Sequence, residues 1–240
     1  MSTPPLDVAR LLSQTITRAT KRNKQRRAGP SDLGNPCDRC VGLALAKRIP
    51  DGPRPRSVRG FSLMAWIGTA VHKHLELLIM AELKRKGAWR RYRGRVKQEF
   101  TVHIGRLPGY GRIKGHTDLY VEPVVCDFKT AGIARIRLWR RVGPPLQYQV
   151  QAHLYGLGLT LMGFLVTDVM LYFIPRDSNN LNDIWVWSAP FNIKVAEKAM
   201  KRAKRIWRQV SDGDIELLES HPDCYDCSPR RHVAFHEEDE

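Results

Sequence analysis

Two aspartates and one lysine form a set of charged residues that could act together in a reaction. Asp118 lies in the run 115–120 (GHTDLY), and Asp127 and Lys129 lie in the run 125–130 (VCDFKT). If these runs form neighbouring strands, the two carboxylates can lie side by side. Asp127 and Lys129 are two residues apart, so they project from the same face of a strand. Two carboxylates and an ammonium would then share one small site.

Such a site suits the hydrolysis of a phosphodiester. Hard divalent cations prefer oxygen ligands, so two aspartates can hold Mg²⁺ or Mn²⁺, which activates a water and neutralises charge on a scissile phosphate. Lys129 could orient that water or stabilise the transition state. The alternative is a surface salt bridge. It is less favoured because Val124, Val125, Cys126 and Phe128 predict a buried strand, where an Asp and a Lys are costly without a role.

Four of the five cysteines form two C-x-x-C pairs, Cys37/Cys40 and Cys224/Cys227, at opposite ends of the chain. In a reducing compartment this spacing indicates metal rather than disulfides. Four thiolates from two such turns suit either structural Zn²⁺ or an iron-sulfur cluster, and either centre would tie the termini together. Four unrelated reduced thiols are the remaining alternative.

Hydrophobic periodicity and turn signals predict the helices and strands that carry these residues. The predicted order is α, βββ, α, ββ, α, which describes an α/β fold with a mixed, mainly antiparallel sheet flanked by helices. Helices are predicted at 6–22, 39–48, 61–86, 145–162 and 193–210, and strands at 95–104, 112–121, 124–129, 168–174 and 184–187. We expect a basic N-terminal part with the first cysteine pair (1–56), a catalytic core (57–210), and a C-terminal part with the second pair and an acidic tail (211–240).

Composition limits the class of protein and of partner. The 240 residues suggest one generous domain, and 40 Lys plus Arg against 24 Asp plus Glu give a net charge of +16 and a pI near 10.0. A hydrophobic content of 42% excludes a disordered basic tail, so we expect a folded protein with a polyanionic partner, most commonly nucleic acid. No secretory signal or membrane span is recognised, which predicts no membrane partner and a cytoplasmic location.

Basic residues concentrate in two places. The segment 84–97 holds eight basic residues, no acidic one, and the interleaved aromatics Trp89 and Tyr92. Phosphate neutralisation combined with aromatic stacking is typical of binding to single strands or frayed ends, although a charge run is often only a solvated surface. The candidate DNA-binding residues in it are Arg90, Arg91, Arg93 and Arg95. The predicted helix 193–210 adds a second positive face.

Four motifs together resemble the PD-(D/E)XK nuclease superfamily, and within it the RecB-like and CRISPR-associated RecB-like exonucleases of phage or prokaryotic type. The motifs are G-x-x-x-H-x-x-x-E at 68–76, G-x-x-D at 115–118, D-x-K at 127–129 and Q-x-x-x-Y at 151–155. Each motif alone is weak, but their order and approximate spacing agree over residues 60–160. The resemblance implies a restriction-endonuclease-like core with a cysteine-bound metal subdomain formed by both termini.

The resemblance also implies roles for individual residues. Asp118, Asp127 and the backbone carbonyl of Phe128 would be metal ligands, and Lys129 would be the catalytic lysine. His72 would be an additional ligand, and its softer imidazole favours Mn²⁺ somewhat over Mg²⁺. The alternative for His72 is a core histidine satisfied by a backbone carbonyl. Glu76, one turn beyond His72, would support the site or be solvated.

Gln151 and Tyr155 are four residues apart, so a helix places them on one face. The resemblance implies that they line the DNA channel near the active site. By composition alone they would be ordinary residues of a helix surface.

The function implied is that of a metal-dependent DNA exonuclease acting in recombination, repair or phage replication, with single-stranded or duplex DNA ends as partner. A protein partner in a recombination or repair complex is compatible with it. The resemblance favours a [4Fe-4S] cluster over Zn²⁺, although the family places one cysteine before the core and three after it. The alternatives are a structure-selective or restriction-like endonuclease on the same fold and a non-catalytic nucleic-acid-binding module stapled by zinc.

Overall fold

The computed structural model describes residues 27–47, 63–85, 90, 92, 94–222, 224 and 227. The helix predicted at 6–22, the acidic tail at 237–240, and the candidate DNA-binding residues Arg91 and Arg93 lie outside these ranges. Within the described part of the chain, no helix has the length and apolarity that crossing a membrane requires.

Five strands form one sheet in chain order. They are β1 (Val96–Leu107), β2 (Gly111–Val121), β3 (Val124–Ala131), β4 (Asp168–Pro175) and β5 (Trp185–Pro190). The pairs β1–β2, β2–β3 and β4–β5 are antiparallel, and β3–β4 is parallel. The parallel pair is joined through helices, as a parallel connection requires. The predicted mixed, mainly antiparallel sheet is therefore confirmed.

Six α-helices accompany the sheet in the described part of the chain. They are α1 (Pro30–Leu33), α2 (Asp38–Ala46), α3 (Leu63–Lys84), α4 (Ile133–Val142), α5 (Leu146–Leu161) and α6 (Ile193–Ser211). Sequence reasoning missed two of them. Pro30 at the first helical position begins α1 inside a segment that its prolines made look irregular. The basic residues of α4 concealed a helix of which only Ile136 is buried.

The first strand continues to Leu107, past residue 104, where the sequence predicted its end. Gly105 lies in an irregularity where the β1–β2 register shifts between His103 and Gly105, and its φ is +144°. A side chain there would also collide with Met200 of α6, since an added Cβ would lie 2.8 Å from the Met200 Cε. The glycine therefore marks a bulge, and the chain turns only at 108–110.

The strand β3 shows how the sheet is layered. Successive side chains point to opposite faces. Asp127 and Lys129 meet Gln151 of α5, whereas Phe128 meets His72 of α3. The sheet thus lies between α5 on one face and α3 on the other, and the candidate site lies where both helices reach β3.

One hydrophobic core includes the segments next to the cysteines. Leu33 and Leu45 near the first pair, and Ile215 and Leu218 near the second, are buried in the same cluster as the sheet and α5. The helix α6 joins this core through an apolar stripe at helical spacing, which ends with Trp207 and Val210. Both cysteine-bearing segments are consequently packed against the body of the protein.

Candidate functional site

The two aspartates lie opposite each other on neighbouring strands. The β2–β3 register pairs Leu119 with Cys126, so the antiparallel ladder brings Asp118 and Asp127 to the next position. The Oδ2 atom of Asp118 accepts a hydrogen bond of 2.6 Å from the backbone N–H of Phe128. This bond fixes one carboxylate beside the strand that carries the other. The side-by-side arrangement expected from the sequence is thus present.

Lys129 forms a buried ion pair with Asp127. The Lys129 Nζ lies 2.5 Å from Asp127 Oδ2, and the side chains are 16% and 3% exposed. The amide of Gln151 joins the pair, because its Oε1 accepts a bond of 3.0 Å from Lys129 and its Nε2 donates one of 3.3 Å to Asp127 Oδ1. This burial argues against the surface salt bridge that the sequence left open.

Burial and charge act in opposite directions on this pair. Burial raises the pKa of Asp127 to about 6, although the Lys129 ammonium opposes the rise. Burial disfavours the charge of Lys129, yet the Asp127 carboxylate outweighs it and raises the pKa of Lys129. At neutral pH both groups are therefore charged. A permanent cation next to the carboxylates is suited to stabilising negative charge rather than to accepting a proton.

His72 reaches the site from α3. Its Nδ1 lies 3.1 Å from Asp118 Oδ1, and its ring packs edge-on against Phe128 with the centroids 5.9 Å apart. Burial opposes protonation of the ring, but the hydrogen bond and charge of Asp118 raise the pKa of His72. The partner of His72 is thus a carboxylate, in contrast to the backbone carbonyl of the alternative reading. Glu76 accepts a bond of 2.6 Å from Lys73 on the same helix.

Both aspartates have carboxylate lone pairs that are not used by the bonds within the protein and could bind a cation. A carboxylate offers about four lone-pair positions. Asp118 receives Phe128 N–H and the His72 ring, and Asp127 receives Lys129 and Gln151, which leaves lone pairs on both. This oxygen-rich donor set fits a hard divalent ion. His72 directs its Nδ1 at Asp118, so its other ring nitrogen, Nε2, is the one that could bind a metal.

Tyr148 and Glu99 were not selected from the sequence as site residues. The Tyr148 ring lies 4.9 Å from Lys129 Nζ. Its position three residues before Gln151 on α5 could have indicated this proximity.

Glu99 lies between the pairs Gln98–Leu119 and Phe100–Thr117, which puts it opposite Asp118. Burial, followed by the charges of Asp118 and Glu76, raises the pKa of Glu99.

Gln151 and Tyr155 are 5% and 6% exposed, and the Gln151 amide donates a 3.0 Å bond to the Tyr155 hydroxyl. The structure therefore shows them inside the protein, bonded to each other and to the ion pair. Lining of a DNA channel by these two residues stays a prediction.

The four cysteines form a compact group. All four sulfur atoms lie within 4.8 Å of one another, and Cys40 Sγ is 3.3 Å from the sulfurs of both Cys224 and Cys227. In the described ranges this is the one place where three or more potential His, Cys, Asp or Glu ligands converge so closely. The two pairs predicted to meet do meet, and they could hold a metal ion.

The electrostatics of the group also favour a cation. Burial raises the pKa of Cys227 to about 11 and that of Cys40 further, and the neighbouring sulfurs add to the effect at Cys40. For Cys37, burial is outweighed by backbone N–H groups of His221 and Cys40, which lower its pKa. Four crowded thiols cannot all ionise without a positive charge among them, and a metal ion supplies it.

Ion pairs anchor the first cysteine turn to α6. Arg202 bonds Asp38 at 2.6 Å and the carbonyls of Asn35 and Pro36 at 2.6 and 2.9 Å. Arg205 also pairs with Asp38. Two of the basic residues that the sequence assigned to a nucleic-acid-binding face therefore hold the cysteine segment in place.

The remaining candidate DNA-binding arginines differ in their surroundings. Arg90 is exposed. Arg95 is 56% exposed and bonds Glu122 at 3.0 Å. Neither residue contacts the carboxylate site through a bond given by the structure, and their role in DNA binding stays a prediction.

Comparison with known proteins gives the fold but no family. No protein-family model and no curated protein matches the chain. Among solved structures, the alkaline exonuclease LHK-Exo from Laribacter hongkongensis aligns with a TM-score of 0.54 at 9% identity, covering 85% of this chain and 95% of that one. Its complex with dAMP aligns with a TM-score of 0.54 at 10% identity, covering 80% and 91%. The chain thus shares the nuclease-like fold of that enzyme.

Proposed function

We propose that the protein is a divalent-metal-dependent nuclease that hydrolyses phosphodiester bonds of DNA. The observation that carries this proposal is the buried Asp127–Lys129 ion pair beside Asp118, at the position where α3 and α5 reach β3. A binding module has no need for a carboxylate pair that repels phosphate, so this arrangement favours catalysis over the zinc-stapled module.

The residues divide the work. Asp118, Asp127 and the Phe128 carbonyl would hold Mg²⁺ or Mn²⁺, which when bound polarises the phosphate and lowers the pKa of a water. The Phe128 N–H orients Asp118. Lys129 offers its ammonium to the negative charge that develops on the phosphate. His72 bonds Asp118 and would keep that carboxylate directed into the site.

Exonuclease action on DNA ends is the form of this activity that we favour. The motifs resemble RecB-like exonucleases, and the structural neighbour is an alkaline exonuclease that was crystallised with dAMP. Roles in recombination, repair or phage replication would follow from such an activity. A structure-selective or restriction-like endonuclease on the same fold is the second candidate.

Digestion of two substrates separates these candidates. The purified protein is incubated with end-labelled linear DNA and with closed circular DNA, in Mn²⁺, Mg²⁺ or EDTA. We expect release of the label from linear DNA with either metal, intact circles, and no cleavage in EDTA. Cutting of the circles would favour the endonuclease. Binding without cleavage under every metal condition would favour the non-catalytic module.

Substitution in the site tests the assignment. We expect Asp118→Asn, Asp127→Asn and Lys129→Met each to slow cleavage by at least about a hundredfold, because each removes a metal or transition-state contact. Binding of DNA should be retained. Asp168→Asn is a matched control, since Asp168 lies at the start of β4 and bonds Thr167. Near wild-type cleavage by Asp127→Asn would contradict the proposed site.

We also propose that the cysteines hold a single tetrahedral ion, with Zn²⁺ favoured over the [4Fe-4S] cluster. A tetrahedral Zn²⁺ with Zn–S bonds of about 2.3 Å places its four sulfurs about 3.8 Å apart. A cluster inserts several iron and sulfide atoms between its cysteines and separates them more widely. The close approach of Cys40 to Cys224 and Cys227 supports the smaller centre.

Metal analysis distinguishes the two centres. Protein purified anaerobically should be colourless and contain one equivalent of zinc, whereas a cluster would give a brown protein containing iron. Cys40→Ser and Cys224→Ser should lower the unfolding temperature, because the ion joins segments 184 residues apart. Cys126→Ser is the control for metal content. No bound metal, together with wild-type stability of both variants, would show that the group is not a metal centre.

A further inference from the structure

One face of α5 meets the ion pair with three side chains. Tyr148, Gln151 and Tyr155 are spaced by three and four residues, which aligns them on a helix. Gln151 binds both members of the ion pair, and Tyr155 bonds Gln151. Tyr148 belongs to none of the four motifs, yet its ring centroid lies 4.9 Å from the Lys129 Nζ.

The geometry of Tyr148 is that of a cation–π contact. The Lys129 Nζ lies over the ring at 4.9 Å from the centroid, within the distance of about 6 Å at which the ring quadrupole attracts a cation. The lysine side chain is 16% exposed, so the contact is largely shielded from water. Shielding from water strengthens this kind of attraction.

Other aromatic rings fix the orientation of Tyr148. Trp139 of α4 packs edge-on against it with the centroids 5.9 Å apart, and Phe173 of β4 lies tilted at 6.3 Å. Phe173 in turn stacks on Trp185 of β5 at 4.9 Å. The Tyr148 ring is therefore packed against two other elements, α4 and β4, and it can act as a fixed wall for Lys129.

We propose that Tyr148 is a positioning residue that, together with Gln151, holds the Lys129 ammonium in place beside Asp127. An ammonium has three N–H groups. Asp127 and Gln151 provide oxygen partners for two of them. An aromatic face stabilises the charge without an oxygen acceptor, which leaves the third N–H for a substrate oxygen. The effect of Tyr148 on cleavage rests on the proposed nuclease function, whereas its positioning of Lys129 does not.

The contact between the Tyr148 ring and Lys129, on which the positioning depends, is measured by NMR without any activity assay. In protein labelled with ¹³C-lysine, the side-chain methylene signals of Lys129 should be displaced upfield by the Tyr148 ring, and Lys129→Arg identifies them by their loss. The displacement should persist in Tyr148→Phe, which keeps the ring, and vanish in Tyr148→Leu. Tyr172→Leu is the matched control, because Tyr172 packs on Phe128 at 6.1 Å on the other face of the sheet. It should leave the Lys129 signals unchanged.

Kinetics then show whether the positioning serves cleavage. We expect Tyr148→Leu to lower kcat about tenfold while KM and DNA affinity stay within about twofold. Tyr148→Phe and Tyr172→Leu should stay within about twofold of wild type. If Tyr148→Leu does not fold, Tyr148→Met retains bulk without a ring and replaces it in both measurements.

The outcomes separate this proposal from the nuclease proposal. Unmoved Lys129 signals in Tyr148→Leu would overturn the positioning role, whatever the activity. An equal loss of kcat in the Phe and Leu variants would assign the effect to the hydroxyl group and would also overturn it. Displaced signals in a protein that cleaves no DNA would sustain the contact of Tyr148 with Lys129 and contradict only the proposed function.

Discussion

The ammonium of Lys129 keeps its charge inside the protein because its neighbours replace the water it has lost. A buried lysine without partners tends to release its proton. Here a carboxylate, an amide oxygen and an aromatic ring surround Nζ. The same three groups restrict where the ammonium can point. At the scale of the residue, the groups that stabilise the charge are also the groups that fix its position.

His153 offers a test of a buried titratable residue away from the site. It is 6% exposed, and its Nδ1 accepts a bond of 3.3 Å from the backbone N–H of Asn192. Burial lowers the pKa of His153 below the ordinary value of about 6.5. The unfolded chain therefore takes up a proton more readily than the folded one. The stability contributed by neutral His153 is present above about pH 6.5 and is lost as the pH falls.

We accordingly expect His153→Gln to gain stability relative to the wild type as the pH falls from about 7.5 to about 5.5. Glutamine can still accept a bond but does not titrate. Urea unfolding at both pH values measures the difference. His74→Gln, an exposed change on α3, is the control. The hypothesis fails if wild type and His153→Gln lose equal stability on acidification.

At the scale of the element, α5 owes its position to glycines that face the neighbouring elements. An added Cβ at Gly158 would lie 2.8 Å from the Val102 Cβ of β1, and one at Gly156 would lie 2.6 Å from the ring of Phe191. The helix can therefore approach β1 more closely than one with side chains at these points. This approach sets the depth at which Gln151 meets β3.

Gly158→Ala should be destabilising although alanine is the better helix former. The helix propensity gained is about 1 kcal/mol. The Val102 Cβ is attached directly to the backbone of β1 and cannot swing away, and overpacking of this kind costs about 1–3 kcal/mol. We expect a lower free energy of unfolding in urea. Gly68→Ala is the matched control on α3, since its Cβ would meet only the Thr130 hydroxyl at 3.2 Å. Equal stability of Gly158→Ala and wild type would show that the helix can shift.

At the scale of the whole molecule, the net charge of +16 is not all available to a partner. Arg202 and Arg205 are engaged with Asp38, and Arg140 donates to the carbonyls of Asn182, Asp183 and Ile184. These arginines hold elements together. The exposed lysines of α6, such as Lys198 and Lys201, remain on the surface.

Binding of DNA should nevertheless depend steeply on salt. Each phosphate neutralised by the protein contributes about −0.7 to −0.9 to the slope of log affinity against log salt. Titrating labelled DNA with the Asp127→Asn variant separates binding from cleavage. Lys198→Gln with Lys201→Gln should leave the slope unchanged or reduce it, whereas Arg202→Gln should act on stability. A flat salt response would contradict a polyanionic partner.

Local sequence patterns predicted the strands, the long helices and the proximity of Asp118, Asp127 and Lys129. Side-chain alternation placed Asp127 and Lys129 on one face, and the run from β2 to β3 brought Asp118 beside them. These are local properties, because strand periodicity and a short connection decide them. The meeting of the two cysteine pairs was likewise inferred from their spacing.

The packing of helices on the sheet decides which residues surround the two sites and which contacts they make. Three contacts illustrate this point: Tyr148 with Lys129, the buried Gln151 with Lys129, and Arg202 with Asp38. The partners are between 19 and 164 positions apart in the chain. Helical periodicity gives the face on which a residue lies but not the element that the face will meet. That choice depends on the depth and angle at which helices pack on the sheet, which are properties of the whole core.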